Sequence, residues 1–475
     1  MEGYHGSGRR HFKDDVFVWD KKFAVRQENA YIAERRLLKA EDNETIITAF
    51  INQFGSWLDP PQYSYRALRD FLEKAIDESG NPENILNTDP TPAPHSRILV
   101  LLDDRRDETG WQDAGGARHR ARDWNSYAEG YPPQGESIEC SMLNAGDLYR
   151  KQLRSKLDHG AERRILYICD MSPICGLALI STIPQYQATI LRDFIQRYVS
   201  YRVFIGVSLS FGFTLEFHLP YYALRQHAIL RKDPRGLRRC GKFITDRKRL
   251  EALEFLYEAQ ISVAIVGVDE WVWTAYCCTE TYFGSEETIQ YYHEQEVDAP
   301  SGGARPRHFP VWNPREYFLF ILSLRFRQVT REWRNVSEAL EDRLQHHEES
   351  VFNEGGETTS LTDNPSFGLT KEYTRTIDLL RLLHNALVKT IESWEYFQGG
   401  EVQYFEVTEH EALRKLWDSH LAGINKNMTE LRSLRRMLYQ RIEMFDNKRS
   451  GVSFLMLFLP VRLLIITACK CLADG

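Results

Sequence analysis

A seven-residue recurrence near the C-terminus constrains this chain more than any other feature. Trp417, Ile424, Leu431, Leu438 and Phe445 follow one another at that interval. Leu421, Met428 and Ile442 fill the companion positions four residues later, and Arg435 is the one break. An apolar a/d pattern kept over about four heptads predicts a long helix with a narrow apolar seam. From 408 to 445 such a helix would measure about 57 Å at 1.5 Å per residue. Two outcomes are open for the seam. The helix packs on neighbours from its own chain, or it is a stalk through which copies of the chain associate as a homo-oligomer.

The seam leads directly into the most apolar stretch of the sequence, Val452–Leu472 (VSFLMLFLPVRLLIITACKCL). Its length is about that needed to cross a ~30 Å hydrocarbon core. Phe454, Leu455, Leu457, Phe458, Leu459, Leu463, Leu464, Ile465 and Ile466 are the residues expected to face lipid. With Val452 and Val461 they make eleven strongly apolar residues, contributing roughly −3 to −7 kcal/mol on an insertion scale. Arg462 opposes this by about 2.5–3.5 kcal/mol, and Pro460 weakens the helix. The expectation is a transmembrane helix over 452–472, set against a buried core helix. Lys448 and Arg449 at its entry would keep the bulk of the chain cytosolic by the positive-inside tendency. Cys469 and Cys471, beside Lys470, are suited to palmitoylation next to a membrane.

Upstream the chain divides by composition. Residues 1–96 read as mainly helical and polar, with helices expected over Ala30–Ala40, Thr45–Phe54 and Tyr65–Glu78, and with three prolines in Asp89–Pro94. Residues 97–300 read as an α/β domain. Arg97–Leu102 and Leu166–Asp170 are short apolar runs that suit buried strands, and Asp103–Gly135 reads as a long exposed loop. Helical spacing marks Pro184–Ser200. Phe204–Leu209 and Phe213–Leu219 flank a turn around Gly212, and in the second run Phe213, Leu215, Phe217 and Leu219 alternate with Thr214, Glu216 and His218. A helix is expected over Arg247–Ala259, then a hairpin of Ser262–Val268 and Trp271–Cys278 turned at Asp269–Glu270. Strands interleaved with helices predict an α/β layer with a mixed sheet.

A Gly/Pro-rich stretch, PSGGARPRHFP, sets the linker 301–312. Asn313 then supplies a helix N-cap, with Pro314 at the first helical position and Glu316 at the third. Long helices occupy 313–450, with a loop over 349–369.

The length of 475 residues suggests two or three structural units. Sixty basic and 67 acidic residues, mixed along the chain, give no general attraction to nucleic acid, so no nucleic-acid partner is expected. The eight cysteines are scattered and form no C-x-x-C pair, as in a reducing compartment. The polar N-terminus carries no signal-type apolar region.

Chemistry-bearing patterns are sparse. Glu216 and His218 share a strand face about 7 Å apart, as an acid/base or metal pair would, although a solvated face has the same pattern. His346, His347, Glu348 and Glu349 are adjacent on a helix and point different ways. Cys277 and Cys278 alternate to opposite faces of a strand. Asp103 and Asp104 follow a strand end, where α/β folds often place sites. The common phosphate-loop, dinucleotide, nucleophile-elbow and zinc-protease motifs are absent. No catalytic or metal residue is assigned, and no enzyme is expected.

Four stretches carry a family resemblance: FTLEFHLPYYALR (Phe213–Arg225), WTAYCCTETYFGSEE (Trp273–Glu287), PVWNPREYFLFILSLRFRQVTREWRN (Pro310–Asn335) and LRSLRRMLYQRIEMFDNKRSG (Leu431–Gly451). Over roughly residues 95–450 the chain resembles the fungal group of CorA-like divalent-cation transporters. The resemblance implies a cytosolic α/β/α domain, a long stalk helix, two membrane helices, a homopentamer and a role for Mg2+ or another divalent cation. It also implies a Gly-Met-Asn pore signature, which occurs nowhere in this sequence. After Gly451 there is room for one membrane helix. The expectation is a CorA-like membrane protein, incomplete or non-conducting as it stands. A soluble interaction scaffold with the transporter's cytosolic fold is the first rival, and an uncharacterised enzyme the second.

Overall fold

The computed structural model describes residues 17–27, 31–41, 44–53, 65–76, 97–107, 135–243, 253–353, 368–406 and 411–473. Side chains of 135–136, 346–353, 368–369 and 451–473 lie outside that description.

An eight-stranded mixed sheet forms the middle layer, in the order β2-β1-β3-β8-β7-β5-β4, with β6 paired to β7. The strands are β1 (Val100–Asp107), β2 (Gly135–Leu143), β3 (Arg163–Cys169), β4 (Phe204–Ser208), β5 (Phe213–Gln226), β6 (Cys240–Lys242), β7 (Glu254–Gly267) and β8 (Trp273–Thr279). β3 and β8 run parallel and every other pairing is antiparallel. The parallel pair sits at the centre and is buried along its whole length, as parallel strands require.

The period-two alternation assigns the two faces. Phe213, Leu215, Phe217, Leu219, Ile261, Val263, Ile265, Trp273, Ala275 and Cys277 point into one core cluster with the long C-terminal helices. Val100, Leu102, Leu166, Ile168, Ala264, Val266, Tyr276 and Cys278 point into the other. That second face is covered by α2 (Ile46–Ile51), α3 (Arg66–Glu73), α4 (Ala145–Gln152), α5 (Pro173–Thr182) and α6 (Ala188–Val199), with α1 (Tyr31–Arg35) beside them. Thr45 caps α2 by accepting from the Thr48 amide at 3.2 Å. A short α7 (Ile289–Glu294) precedes the bundle of α8 (Pro314–Asn353), α9 (Gly368–Gly399) and α10 (Glu411–Ala473).

The hairpin at Asp269–Glu270 and the turn at Gly212 form as expected. A Cβ at Gly212 would collide with the Gly267 carbonyl, so the two glycines let the adjacent hairpin ends meet. Pro220 falls just past the end of β4, where β5 has a neighbour on one side only, a place where a strand tolerates proline.

The helix expected over Arg247–Ala259 is not formed across its described part. Residues 254–259 belong to β7, which pairs with β5 along fourteen residues of each strand. Glu254, Leu256 and Ala259 are helix or neutral formers, but Phe255, Tyr257, Ala259 and Ile261 alternate onto the buried face, and pairing overrides propensity. The loop expected over Asp103–Gly135 starts later, because β1 continues to Asp107 and charged residues are held by partners inside the sheet. Residues 108–134 lie outside the described residues. The Gly/Pro-rich 301–312 stretch is ordered: Arg325 donates to the carbonyls of Pro300 and Ala299, and Val297 bridges Pro306.

Candidate functional site

The heptad seam folds inside its own chain. Trp417, Ile424, Met428, Leu431, Leu438 and Phe445 are buried in the core shared with α8 and α9, and Leu421 and Ile442 pack at its margin. Ion pairs set the helix directions. On α10, Glu430 holds Arg334 of α8 at 2.7 Å, and Arg441 holds Glu341 of α8, so these two helices run parallel. Arg432 meets Glu395 at 3.0 Å and Asp446 meets Arg381 at 2.7 Å, so α9 is antiparallel to both. The Trp394 indole N–H donates to Asn425 at 3.2 Å between α9 and α10. The packing on neighbours of its own chain, the first of the two outcomes left open by the heptads, is present. Six of the eight apolar seam residues are covered within one chain, while Leu421 and Ile442 remain partly exposed at its margin.

α10 is one continuous helix of 63 residues, about 95 Å long. Its backbone carries 452–472 as a direct extension of the bundle. The side chains named for lipid contact, Phe454 through Ile466, lie outside the described residues, as do Cys469 and Cys471. Among the described residues no helix is long and apolar enough to cross a membrane.

Glu216 and His218 do come together, but not on a solvated face. β5 places them toward α6, and His218 packs against the Phe194 ring at 5.0 Å. His218 Nε2 is 2.7 Å from Glu216 Oε1, and its Nδ1 is 2.7 Å from Ser262 Oγ and 3.0 Å from Gln260 Nε2. Arg197 from α6 donates to both Glu216 oxygens, at 2.7 and 2.8 Å. A serine, an imidazole and a carboxylate in line resemble a nucleophilic triad in connectivity. His218 and Ser262 are each 0 % exposed, which denies a substrate the hydroxyl. Burial pushes the His218 imidazole below its ordinary value, partly offset by Glu216. Burial alone would raise the Glu216 carboxyl; Arg197 and His218 outweigh it and hold the group ionised. The arrangement is a satisfied ion-pair network that closes the polar side of β5 beneath a helix.

Asp103 and Asp104 are likewise engaged. Arg105 holds Asp103 at 2.9 Å, and Arg164 holds Asp104 through two bonds of 2.8 and 2.7 Å. Bidentate arginine satisfies a carboxylate that a cation would otherwise need. Cys277 and Cys278 enter opposite cores, as the alternation requires. The side chains of His346, His347, Glu348 and Glu349 lie outside the described residues. Among the described residues no group of three or more His, Cys, Asp or Glu could hold a metal ion.

Sequence reasoning missed a buried polar cluster beneath the N-terminal segment. Lys156 donates to Thr274 Oγ1 at 2.7 Å and lies 3.8 Å from Glu34, which also accepts from Tyr186. Burial pushes the Lys156 amine below its ordinary value against the pull of Glu34. The partly open cleft these groups line with Arg164 and Tyr276 holds about 30 Å³, roughly the space of one or two waters. The residues come from four separate parts of the sequence, so no local spacing marks the cluster.

No protein-family model matches this sequence, and neither does any curated protein. Among solved structures the chain is similar to the complete CorA magnesium transporter of Methanocaldococcus jannaschii. The two share 10 % identity over 78 % of this chain and 83 % of that one, at a TM-score of 0.36.

Proposed function

We propose that this chain is a CorA-like membrane protein without enzymatic activity, anchored through 452–472, with its sheet and helix bundle outside the bilayer on the cytosolic side. The observation that carries the reading is the unbroken course of α10 from the bundle to Ala473. A membrane segment must satisfy every backbone N–H and C=O internally, and a helix does so. The bundle supplies a helix already nucleated, so extension into lipid bears no new nucleation cost. Lys448 and Arg449 stand at the junction, where Lys448 lies over the Phe445 ring at 5.3 Å and Arg449 pairs with Asp446 at 2.8 Å. The four sequence stretches that resemble the CorA-like group fall on β5, β8, α8 and α10, the elements that join the sheet to the bundle. The reading includes no conduction, because the Gly-Met-Asn signature is absent from the sequence. A divalent cation, if one acts here, would act as a regulator.

The test is membrane partition. The full chain and a form lacking 452–475, each with an N-terminal tag, are extracted with alkaline carbonate. The full chain is expected in the membrane pellet and the shortened form in the supernatant. A full chain released with the shortened one overturns the anchor, and a soluble scaffold becomes the better description.

A further inference from the structure

The one break in the heptad seam, Arg435, opens a groove. Where Leu421, Met428 and Ile442 lay apolar side chains against the bundle at equivalent positions, Arg435 is half-buried and leaves about 450 Å³ between α9 and α10. The groove is lined by His384, Val388, Arg435, Arg436, Tyr439 and Gln440. The His384 and Tyr439 rings stand 5.9 Å apart and, with Val388, make an apolar floor. Tyr439 is 51 % exposed although it has neighbours on both helices.

Charge sets the groove apart from the helix around it. Arg432 and Arg441, on either side, each hold a glutamate of a neighbouring helix. Arg435 and Arg436 have no ion pair or side-chain hydrogen bond among the described residues. Two guanidinium groups without an ion pair, beside a floor of ring faces whose Tyr439 hydroxyl is bonded to Glu443, select an occupant with an apolar anchor and negative charge. Consecutive helix residues point about 100° apart and cannot converge on one small anion. They suit two carboxylates separated along a partner's backbone. A bilayer headgroup is too remote: Arg436 precedes Val452 by sixteen residues, about 24 Å along the helix, against a screening length near 8 Å.

We propose that the groove between α9 and α10 is a docking site for an acidic amphipathic helix of another protein. Its apolar side chain would seat against Tyr439, His384 and Val388, and carboxylates on its two flanks would meet Arg435 and Arg436.

The test uses the full-length chain and a fluorescently labelled helical peptide of about 15 residues, long enough for a helix to persist. The peptide carries leucines on one face and glutamates on both flanks. Saturable anisotropy binding is expected, weakening as salt rises, and lost by about tenfold or more in Arg435→Leu and in Arg436→Glu. Arg435→Leu restores the apolar seam and so keeps the bundle folded; Arg436 is exposed, so its replacement leaves packing intact. A peptide with lysines in place of the glutamates is expected not to bind. The proposal is overturned by no binding, by equal binding to both variants, or by equal binding of the lysine peptide. Displacement by inorganic phosphate or by phosphatidylserine vesicles also overturns it, as the mark of a simple anion or lipid site.

Discussion

At the scale of single residues, burial competes with charge, and Glu316 shows burial winning. The Asn313 side chain caps α8 by accepting from the amides of Arg315 and Glu316, at 2.9 and 3.1 Å. A glutamate three residues after such a cap ordinarily reaches back to it, ionised and favoured by the helix dipole. Here the Glu316 carboxyl is buried, and its Oε2 has no hydrogen-bond partner. Burial pushes it up to about 8, with Arg305 opposing. The unfolded chain titrates near the ordinary 4.5. Between these values the native state holds a proton that the unfolded state has released. The group's contribution to stability is therefore fully present below about 4.5 and is lost as pH rises toward 8. Glu316→Gln is expected to gain stability over the natural chain across that window, by on the order of 3–5 kcal/mol at its upper end. Urea unfolding at a series of pH values measures this, and a pH-independent difference would contradict it. Glu216 follows the opposite course because Arg197 and His218 reach it, so the same chemistry yields an ionised group.

At the scale of elements, the seam of α10 is a packing device. Leu431 and Leu438 are buried against α8 and α9, and truncating a buried leucine costs about 2–5 kcal/mol including the cavity left behind. Leu431→Ala and Leu438→Ala are each expected to lower the unfolding free energy by that amount, read as a fall in the urea midpoint followed by far-ultraviolet circular dichroism. Truncations that change molecular mass but leave the midpoint unmoved would favour the stalk reading. The interhelical ion pairs contribute less. Arg334–Glu430 and Arg432–Glu395 are partly solvated, and such pairs are worth about 0–1 kcal/mol each. Their effect is on which helix faces which.

At the scale of the molecule, sheet and bundle share one core. A single apolar cluster runs from Phe213, Phe217 and Trp273 in the sheet through Trp312, Phe318 and Phe326 on and before α8 to Trp394 and Trp417 in the bundle. The Trp273 indole donates to the Trp312 carbonyl at 3.0 Å, and Arg225 at the far end of β5 holds Glu332 of α8 through bonds of 2.8 and 2.7 Å. Contacts of this extent make the two layers cooperative. Tryptophan fluorescence and far-ultraviolet circular dichroism are expected to report coincident unfolding transitions. Two separated transitions would show the sheet layer and the bundle to be independent units.

Periodicity is local, so the sequence alone determined much of the element order. It contained the alternation of Phe213–Leu219, the Asn313–Pro314 helix start, the hairpin at Asp269–Glu270 and the heptads of α10. Each records which side of an element is apolar, and that is a property of neighbouring residues along the chain. Only the tertiary structure decided what each side meets. It put α6 over Glu216 and His218, which a strand with an open face would have left in water. It drew residues 254–259 into β7 by pairing them with β5. It closed the α10 seam on α8 and α9, so that Arg435, read in sequence as a flaw in a pattern, became the opening of a groove. Pairing, burial and charge compensation join residues far apart in the chain, and their free energies exceed the local preferences by which a sequence is read.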